Sequence, residues 1–155
     1  MNLRRVFHLI SYMVLFIALA IGLSAFVSWV YDDPAFIVRQ LMSSAAISLL
    51  IGLLITVLTR GEVGLSRKDG FGIVALGWLV VGHVGAVPFL LTATIPHPID
   101  ALFETISGFT TTGSTILTDV ELLPRGIPFW RSLTQWLGGR GVLLLCVAIL
   151  PFLGV

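Results

Sequence analysis

From residue 6 to residue 31 the chain carries no Asp, Glu, Lys or Arg, and this run of 26 positions is bracketed by Arg4 and Arg5 before it and by Asp32, Asp33 and Pro34 after it. Helix needs about 20 apolar residues to cross the hydrocarbon core of a bilayer, so the run predicts a first spanning helix. A second uncharged run, residues 40–59, stops at Arg60 and predicts a second. A third, residues 70–99, can span over about 71–91 before Thr94-Ile95-Pro96-His97-Pro98 ends it, because two prolines so close together fix φ and remove donors. Apolar residues make up 57% of the 155 and charged residues only 11%, with a mean hydropathy of +1.04; a soluble domain carries roughly 25% charged residues. The bilayer is therefore the expected solvent, which excludes a soluble enzyme or a nucleic-acid-binding module. A net charge of +1 points to no polyanionic partner, and the single cysteine, Cys146, has no internal disulfide to form.

Arg4 and Arg5 followed by Ala18-Leu19-Ala20 mimic a secretory signal peptide, but an apolar core of about 7–15 residues would be expected there, and this run is longer. In the second span Ser44, Ser48 and Gly52 recur every fourth residue, a stripe that lets another helix approach closely. Residues 60–69, with Arg60, Arg67 and Lys68 against Glu62 and Asp69, read as a connecting loop. The positive-inside rule places the N-terminus and this loop in the cytoplasm, and Asp32-Asp33 and the stretch after Thr94 outside. Trp29, Tyr31 and Trp130 fall where an outer aromatic belt would sit.

After Pro98 comes a helical stretch of about ten residues, 99–108, which rises only about 15 Å, half a bilayer. It leads into Phe109-Thr110-Thr111-Thr112-Gly113-Ser114. A half-helix followed by such a string reads as a re-entrant loop, and non-helical backbone at membrane depth is tolerated where it is buried in protein or lines a water-filled cavity. Backbone carbonyls can replace the hydration shell of a cation. Aiming consecutive carbonyls at one axis takes alternating backbone conformations, and Gly113 supplies the one that a Cβ forbids. The threonines add hydroxyl acceptors, and the half-helix points its partially negative C-terminus toward the membrane centre. A threonine-rich turn at the membrane surface is the alternative for this string taken alone. A last span is expected over about 128–150, with Pro128 at its start.

The string Phe103-Glu104-Thr105-Ile106-Ser107-Gly108-Phe109-Thr110-Thr111-Thr112-Gly113, then Phe129-Trp130-Arg131-Ser132-Leu133-Thr134-Gln135-Trp136-Leu137-Gly138-Gly139 and Ala148-Ile149-Leu150-Pro151, resembles the Trk/Ktr/HKT superfamily of potassium transporters, of the TrkH type. The resemblance covers the whole chain. It implies an all-α integral membrane fold: two leading helices with their cytoplasmic loop over residues 1–69, then one pore repeat over 70–155. The repeat would comprise an outer helix at about 71–91, a re-entrant pore helix at about 99–108, a filter at 110–114 and an inner helix at about 128–150. Carried over by position, Thr110, Thr111, Thr112 and Gly113 are this repeat's share of the potassium filter, with Ser114 at the outer mouth and K⁺ held by the carbonyls of Thr111, Thr112 and Gly113. The resemblance also implies a homodimer in the bacterial cytoplasmic (inner) membrane, a soluble nucleotide-binding subunit of the TrkA type on the cytoplasmic side, and no cofactor besides the transported K⁺.

The family builds its pore from four repeats, and one filter string is present here with no internal repeat, so the chain reads as an N-terminal fragment or a truncated product. A ring of four copies and a non-transporting fragment that associates with intact subunits are the other readings. Arg140 stands where the family usually has an apolar residue, about 18 Å into the last helix; it is either a gating or cavity-lining charge or a disruptive one. His83 is a relay group or ligand, or else is satisfied within the bundle. Glu104 is expected to anchor the pore helix by hydrogen bonds, with Asp100 on the same face, and Asp119, Glu121 and Arg125 to form a solvated outer rim. An intramembrane enzyme would use His83, Ser107 and Glu104 or Asp100. No motif activates Ser107, so the chain is read as a transporter component and not an enzyme.

Overall fold

The computed structural model describes residues 2–59 and 67–149, with side chains over 2–59 and 69–140. The loop residues Arg60 and Glu62, the side chains of Arg67, Lys68, Cys146, Ala148 and Ile149, and the Leu150-Pro151 end of the family string lie outside that description. Among the described residues five helices follow one another: α1 (Leu3–Val30), α2 (Ala35–Leu58), α3 (Arg67–Leu91), α4 (Pro98–Phe109) and α5 (Gly126–Ile149), with a 3-10 turn at Val120–Leu122 before the last. The fold is all-α. Leu3–Val30, Ala35–Leu58 and Asp69–Leu91 are long and apolar enough to cross a membrane.

The first helix starts ahead of the uncharged run because Asn2 caps it, its side-chain oxygen accepting the Arg4 N–H at 3.1 Å. Asp32, with φ of +54°, makes the tight reversal into α2. The two helices run antiparallel: Thr56 Oγ1 lies 2.8 Å from Ser11 Oγ, and His8 Nδ1 lies 3.0 Å from Thr59 Oγ1. Ser44 and Ser48 are buried and donate to the carbonyls of Gln40 and Ser44, while Gly52 meets Leu15 of α1. The small-residue stripe is thus the packing face for α1. The opposite faces expose Leu19, Trp29, Leu50 and Leu54, which suits lipid contact.

α3 begins at Arg67, inside the segment expected to be loop. Asp69 explains the early start, since a carboxylate in the first turn complements the helix dipole. It is buried and accepts the backbone N–H of Asn2 at 2.8 Å, tying the chain's start to α3. α5 likewise begins at Gly126, two residues before Pro128, which still lies in the first turn where no intrahelical N–H is needed.

α4 packs between α3 and α5 and buries Ala101, Glu104, Thr105 and Phe109 while Ile99 and Phe103 stay exposed. Pro98 in its first turn and Asp100 near the positive end of its dipole suit a helix start. Trp130 departs from the aromatic-belt expectation. It is fully buried, and its Nε1 donates to the Gly85 carbonyl at 3.1 Å, so the indole locks α5 onto α3 instead of facing the interface. Trp29 and Tyr31 are each 65% exposed.

Candidate functional site

The end of α4 organises the Thr–Gly string through its unpaired carbonyls. Thr110 still belongs to the helix end, its N–H donating to Ile106 O at 2.8 Å. The Thr111 N–H then donates to Gly108 O at 2.9 Å, and the N–H groups of Thr112 and Gly113 both point to Ser107 O at 3.0 and 3.4 Å. In a trans, planar peptide the carbonyl opposes the N–H of the next residue. Three consecutive amides turned inward therefore turn the carbonyls of Thr110, Thr111 and Thr112 outward, to the exposed side. The carbonyls of all three accept no hydrogen bond among the described residues.

This arrangement depends on backbone handedness. Gly113 has φ of +77°, and a Cβ there would meet nothing within 4 Å, so conformation and not space demands glycine. Thr111 has φ of +57°. A β-branched residue in the left-handed region is a genuine outlier, and such strain persists where the surroundings over-determine it. Sequence reasoning assigned the left-handed role to Gly113 alone, and nothing in a threonine's chemistry announces it at 111.

Gly113 O and Ser114 O follow a different pattern. Ser107 Oγ donates to Ser114 O at 2.6 Å, and Arg131 Nη2 reaches Gly113 O at 3.3 Å. Both carbonyls are thus tied to the scaffold, unlike the row of Thr110 to Thr112. Thr110 and Thr112 join their hydroxyls at 2.8 Å.

Glu104 holds the outer part of the loop. It is buried, and one carboxylate oxygen accepts Arg131 Nε at 2.7 Å while the other accepts the Ile116 N–H at 3.1 Å and the Thr115 hydroxyl at 3.0 Å. A buried carboxylate so fully paired is structurally stable in a way that a lone one is not. Asp100, one turn earlier, is exposed. Gly138 of α5 passes so close to the Phe109 backbone carbonyl that a Cβ would overlap it, which brings the end of α4 into direct backbone contact with α5. The next residue, Gly139, faces Thr111.

The chain matches the family described as TrkH, cation transport protein, over residues 37–155. It belongs to the TrkH family. It is 39% identical over 157 aligned positions to the Trk system potassium uptake protein TrkH of Salmonella typhimurium, covering all of this chain and 32% of that protein. It is 40% identical over 97 positions to the Trk system potassium uptake protein TrkG of Escherichia coli, covering 62% of this chain and 20% of that protein. The crystal structure of the potassium transporter TrkH from Vibrio parahaemolyticus shares its fold with a TM-score of 0.90 at 34% identity, over all of this chain and 33% of that one. This chain spans about a third of the length of the relatives it matches, and as a TrkH-family chain it is a multi-pass membrane protein.

Other residues singled out in this TrkH-family chain lie apart from the loop. Arg140 is exposed, with its guanidinium carbon 4.6 Å from the Trp136 ring centroid, a cation–π geometry. It borders a cleft of about 440 Å³ shared with Met13 and Phe16 of α1 and with Trp78 of α3. His83 is exposed, its Nδ1 2.7 Å from the carbonyl of Leu79 one turn back, so the expectation of a histidine satisfied inside the bundle gives way to one bonded to its own helix. No hydrogen bond joins His83, Ser107 and Glu104 among the described residues, since each is bonded elsewhere. Arg125 contributes its backbone N–H to Asp33. Arg131 and Asp33 were in view in the sequence without a role, because their partners are distant in the chain.

Proposed function

We propose that this chain supplies the two leading helices, residues 1–69, and the first pore repeat, residues 70–155, of a potassium-uptake protein of the bacterial inner membrane. On this reading K⁺ sheds its water against carbonyls of the Thr110–Gly113 string and moves down its electrochemical gradient, about 2.3 kcal/mol per 100 mV for each charge. The observation that carries the reading is the inward turn of three consecutive amides onto the end of α4, which leaves a row of carbonyls facing the open side. The negative end of the α4 dipole lies beside that row and favours a cation. One strand of carbonyls cannot surround an ion, so the ring needs three more, from further repeats or further copies. Ser114 closes the outer mouth, Glu104 supports the pore helix, and Arg140, which stacks on Trp136 beside the α1 cleft, acts on the inner helix and not on the filter. Arg4 and Arg5 against Asp32 and Asp33 support a cytoplasmic N-terminus. Pairing into a homodimer, and docking of a TrkA-type nucleotide-binding subunit below, belong to the same reading.

The test uses a chimaera in which this segment replaces the matching N-terminal third of the Vibrio parahaemolyticus transporter, produced in a potassium-uptake-deficient bacterium. Growth at low K⁺ and uptake of a rubidium tracer are the expected outcome. A chimaera present in the membrane without uptake would overturn the reading, and rescue by the 155-residue chain alone would replace the multi-repeat ring with one made of copies.

A further inference from the structure

We infer that the hollow at the α1–α2 turn is a headgroup site for a zwitterionic aminophospholipid of the phosphatidylethanolamine class, taken from the leaflet that meets this turn. The site lies apart from the ion path and draws only on the membrane-spanning fold. About 310 Å³ of open space lies there between the end of α1 and the first two turns of α2, at the small end of ligand pockets, about 300–1,000 Å³. One wall is the exposed Trp29, whose ring leans on Phe26 with 5.9 Å between centroids. The other is the α2 stripe that carries Val38, Arg39 and Met42, and Asp32 and Asp33 close the turn between them. Three charged side chains thus line one hollow, and they are not equivalent. Asp33 is spent, since its two oxygens already accept from Arg125, Gly126 and Ser28. Asp32 is exposed, and its carboxylate accepts no hydrogen bond among the described residues. Arg39, the single charged residue of α2, is exposed as well and has neither an ion pair nor a hydrogen-bonded partner among the described residues.

A carboxylate and a guanidinium that line the same hollow without pairing are the complement of a ligand that carries an anion and a cation a short link apart. Depth selects a lipid. Arg39 lies four residues, about 6 Å, inside the start of α2, beside an exposed tryptophan of the kind that sits at headgroup level. The exposed Met42, one turn further in, carries the same face on toward the hydrocarbon. A phospholipid seated here sets its phosphate against the Arg39 fork, a charge-assisted contact, its ammonium against Asp32, and its acyl chains along Met42. A primary ammonium brings three N–H donors to the carboxylate; a choline headgroup brings none, and a glycerol headgroup brings no cation. A soluble zwitterion gains the charge contacts but nothing from Met42. The bound lipid also braces the turn whose Asp33 caps α5, and a ligand that binds only the folded chain stabilises it.

Two measurements test this. In the 155-residue chain with Trp78→Phe and Trp136→Phe, Trp29 is the exposed indole, because Trp130 is buried. This chain is placed in phosphatidylcholine vesicles containing a small fraction of lipid brominated on its acyl chains, with an ethanolamine, choline or glycerol headgroup. Half-maximal quenching of Trp29 is expected at an about fivefold lower fraction of the ethanolamine lipid than of the other two, the order of effect that two exposed ion pairs supply. Asp32→Asn keeps a residue suited to the left-handed backbone at that position, where φ is +54°, and should abolish the preference, while Arg39→Gln should reduce it about twofold. Equal quenching by the three lipids, or a preference that survives Asp32→Asn, overturns the proposal. In the chimaera, native mass spectrometry from detergent counts the phosphatidylethanolamine that stays bound. The paired variant Asp32→Asn/Arg39→Gln is expected to retain one molecule fewer than the parent; an unchanged count overturns the proposal, and is the result expected if further repeats of the transporter fill the hollow. Neither measurement uses rubidium uptake, so failure of the cation-filter reading leaves both standing.

Discussion

The carboxylate of Asp33, at the turn between α1 and α2, caps the start of α5: its two oxygens accept the N–H groups of Arg125 and Gly126 at 2.8 Å each, and one also accepts the Ser28 hydroxyl at 2.6 Å. A helix N-terminus leaves its first donors without partners and carries partial positive charge. The leading helix pair supplies both the acceptors and the countercharge. Asp33→Ala should therefore lower the stability of the folded chain by on the order of 2 kcal/mol. Thermal unfolding in detergent would measure the loss, and faster hydrogen exchange at Gly126 would locate it.

Glu104→Ala strips Arg131, Ile116 and Thr115 of one acceptor group at once. Removing one partner of a buried ion pair is destabilising by about 3–5 kcal/mol, so a marked fall in melting temperature is expected. Glu104→Gln, which keeps an acceptor oxygen, should lose less.

Neighbouring glycines of α5 should respond in opposite ways. Gly138→Ala forces a methyl group into the Phe109 carbonyl, whereas at Gly139 a Cβ meets Thr111 Cγ2 at an ordinary 3.6 Å. The first substitution should reduce the amount of folded protein in the membrane, and the second should leave it near the parent level. Equal amounts for both would refute the close approach of α4 and α5.

Two substitutions probe backbone handedness without changing packing. Thr111→Gly relieves a left-handed β-branched residue and should raise stability by about 1 kcal/mol, while loosening the loop. Gly113→Ala introduces the same kind of strain in open space, so membrane levels should hold while ion preference in the chimaera changes. Unchanged ion ratios with either would count against a filter built on this backbone.

Arg140→Leu should leave ion preference unaltered, because Gly139 and not Arg140 faces Thr111, and the guanidinium lies over Trp136 at the α1 cleft. Competition uptake in the chimaera reads this directly, and a changed K⁺ to Na⁺ ratio would place the charge in the ion path.

The spanning helices, the half-helix and the family were legible in the sequence, because each is written in contiguous residues. An uncharged run of sufficient length, two prolines and a short helical stretch before a Thr–Gly string depend on local composition and the thickness of the bilayer, not on what lies across the fold. Helix starts were less legible. α3 already runs from Arg67, and Asp69 in its first turn accepts the N–H of Asn2, 67 positions away. Trp130 sat at interfacial depth by counting, yet its direction is set by Gly85 on another helix, and counting along one helix cannot supply that.

By itself, then, the sequence determined that this chain lives in a membrane, that its first three apolar runs are long enough to cross it, and where helix gives way to irregular backbone after α4. Tertiary structure alone decided that Glu104 meets Arg131 across 27 positions, that Asp33 caps a helix 93 positions on, that Thr111 joins Gly113 in the left-handed region, and that the Gly113 carbonyl is bound to a guanidinium. Hydrophobic run length is a one-dimensional quantity, while the partner of a buried polar group is chosen by whichever helix packs against it.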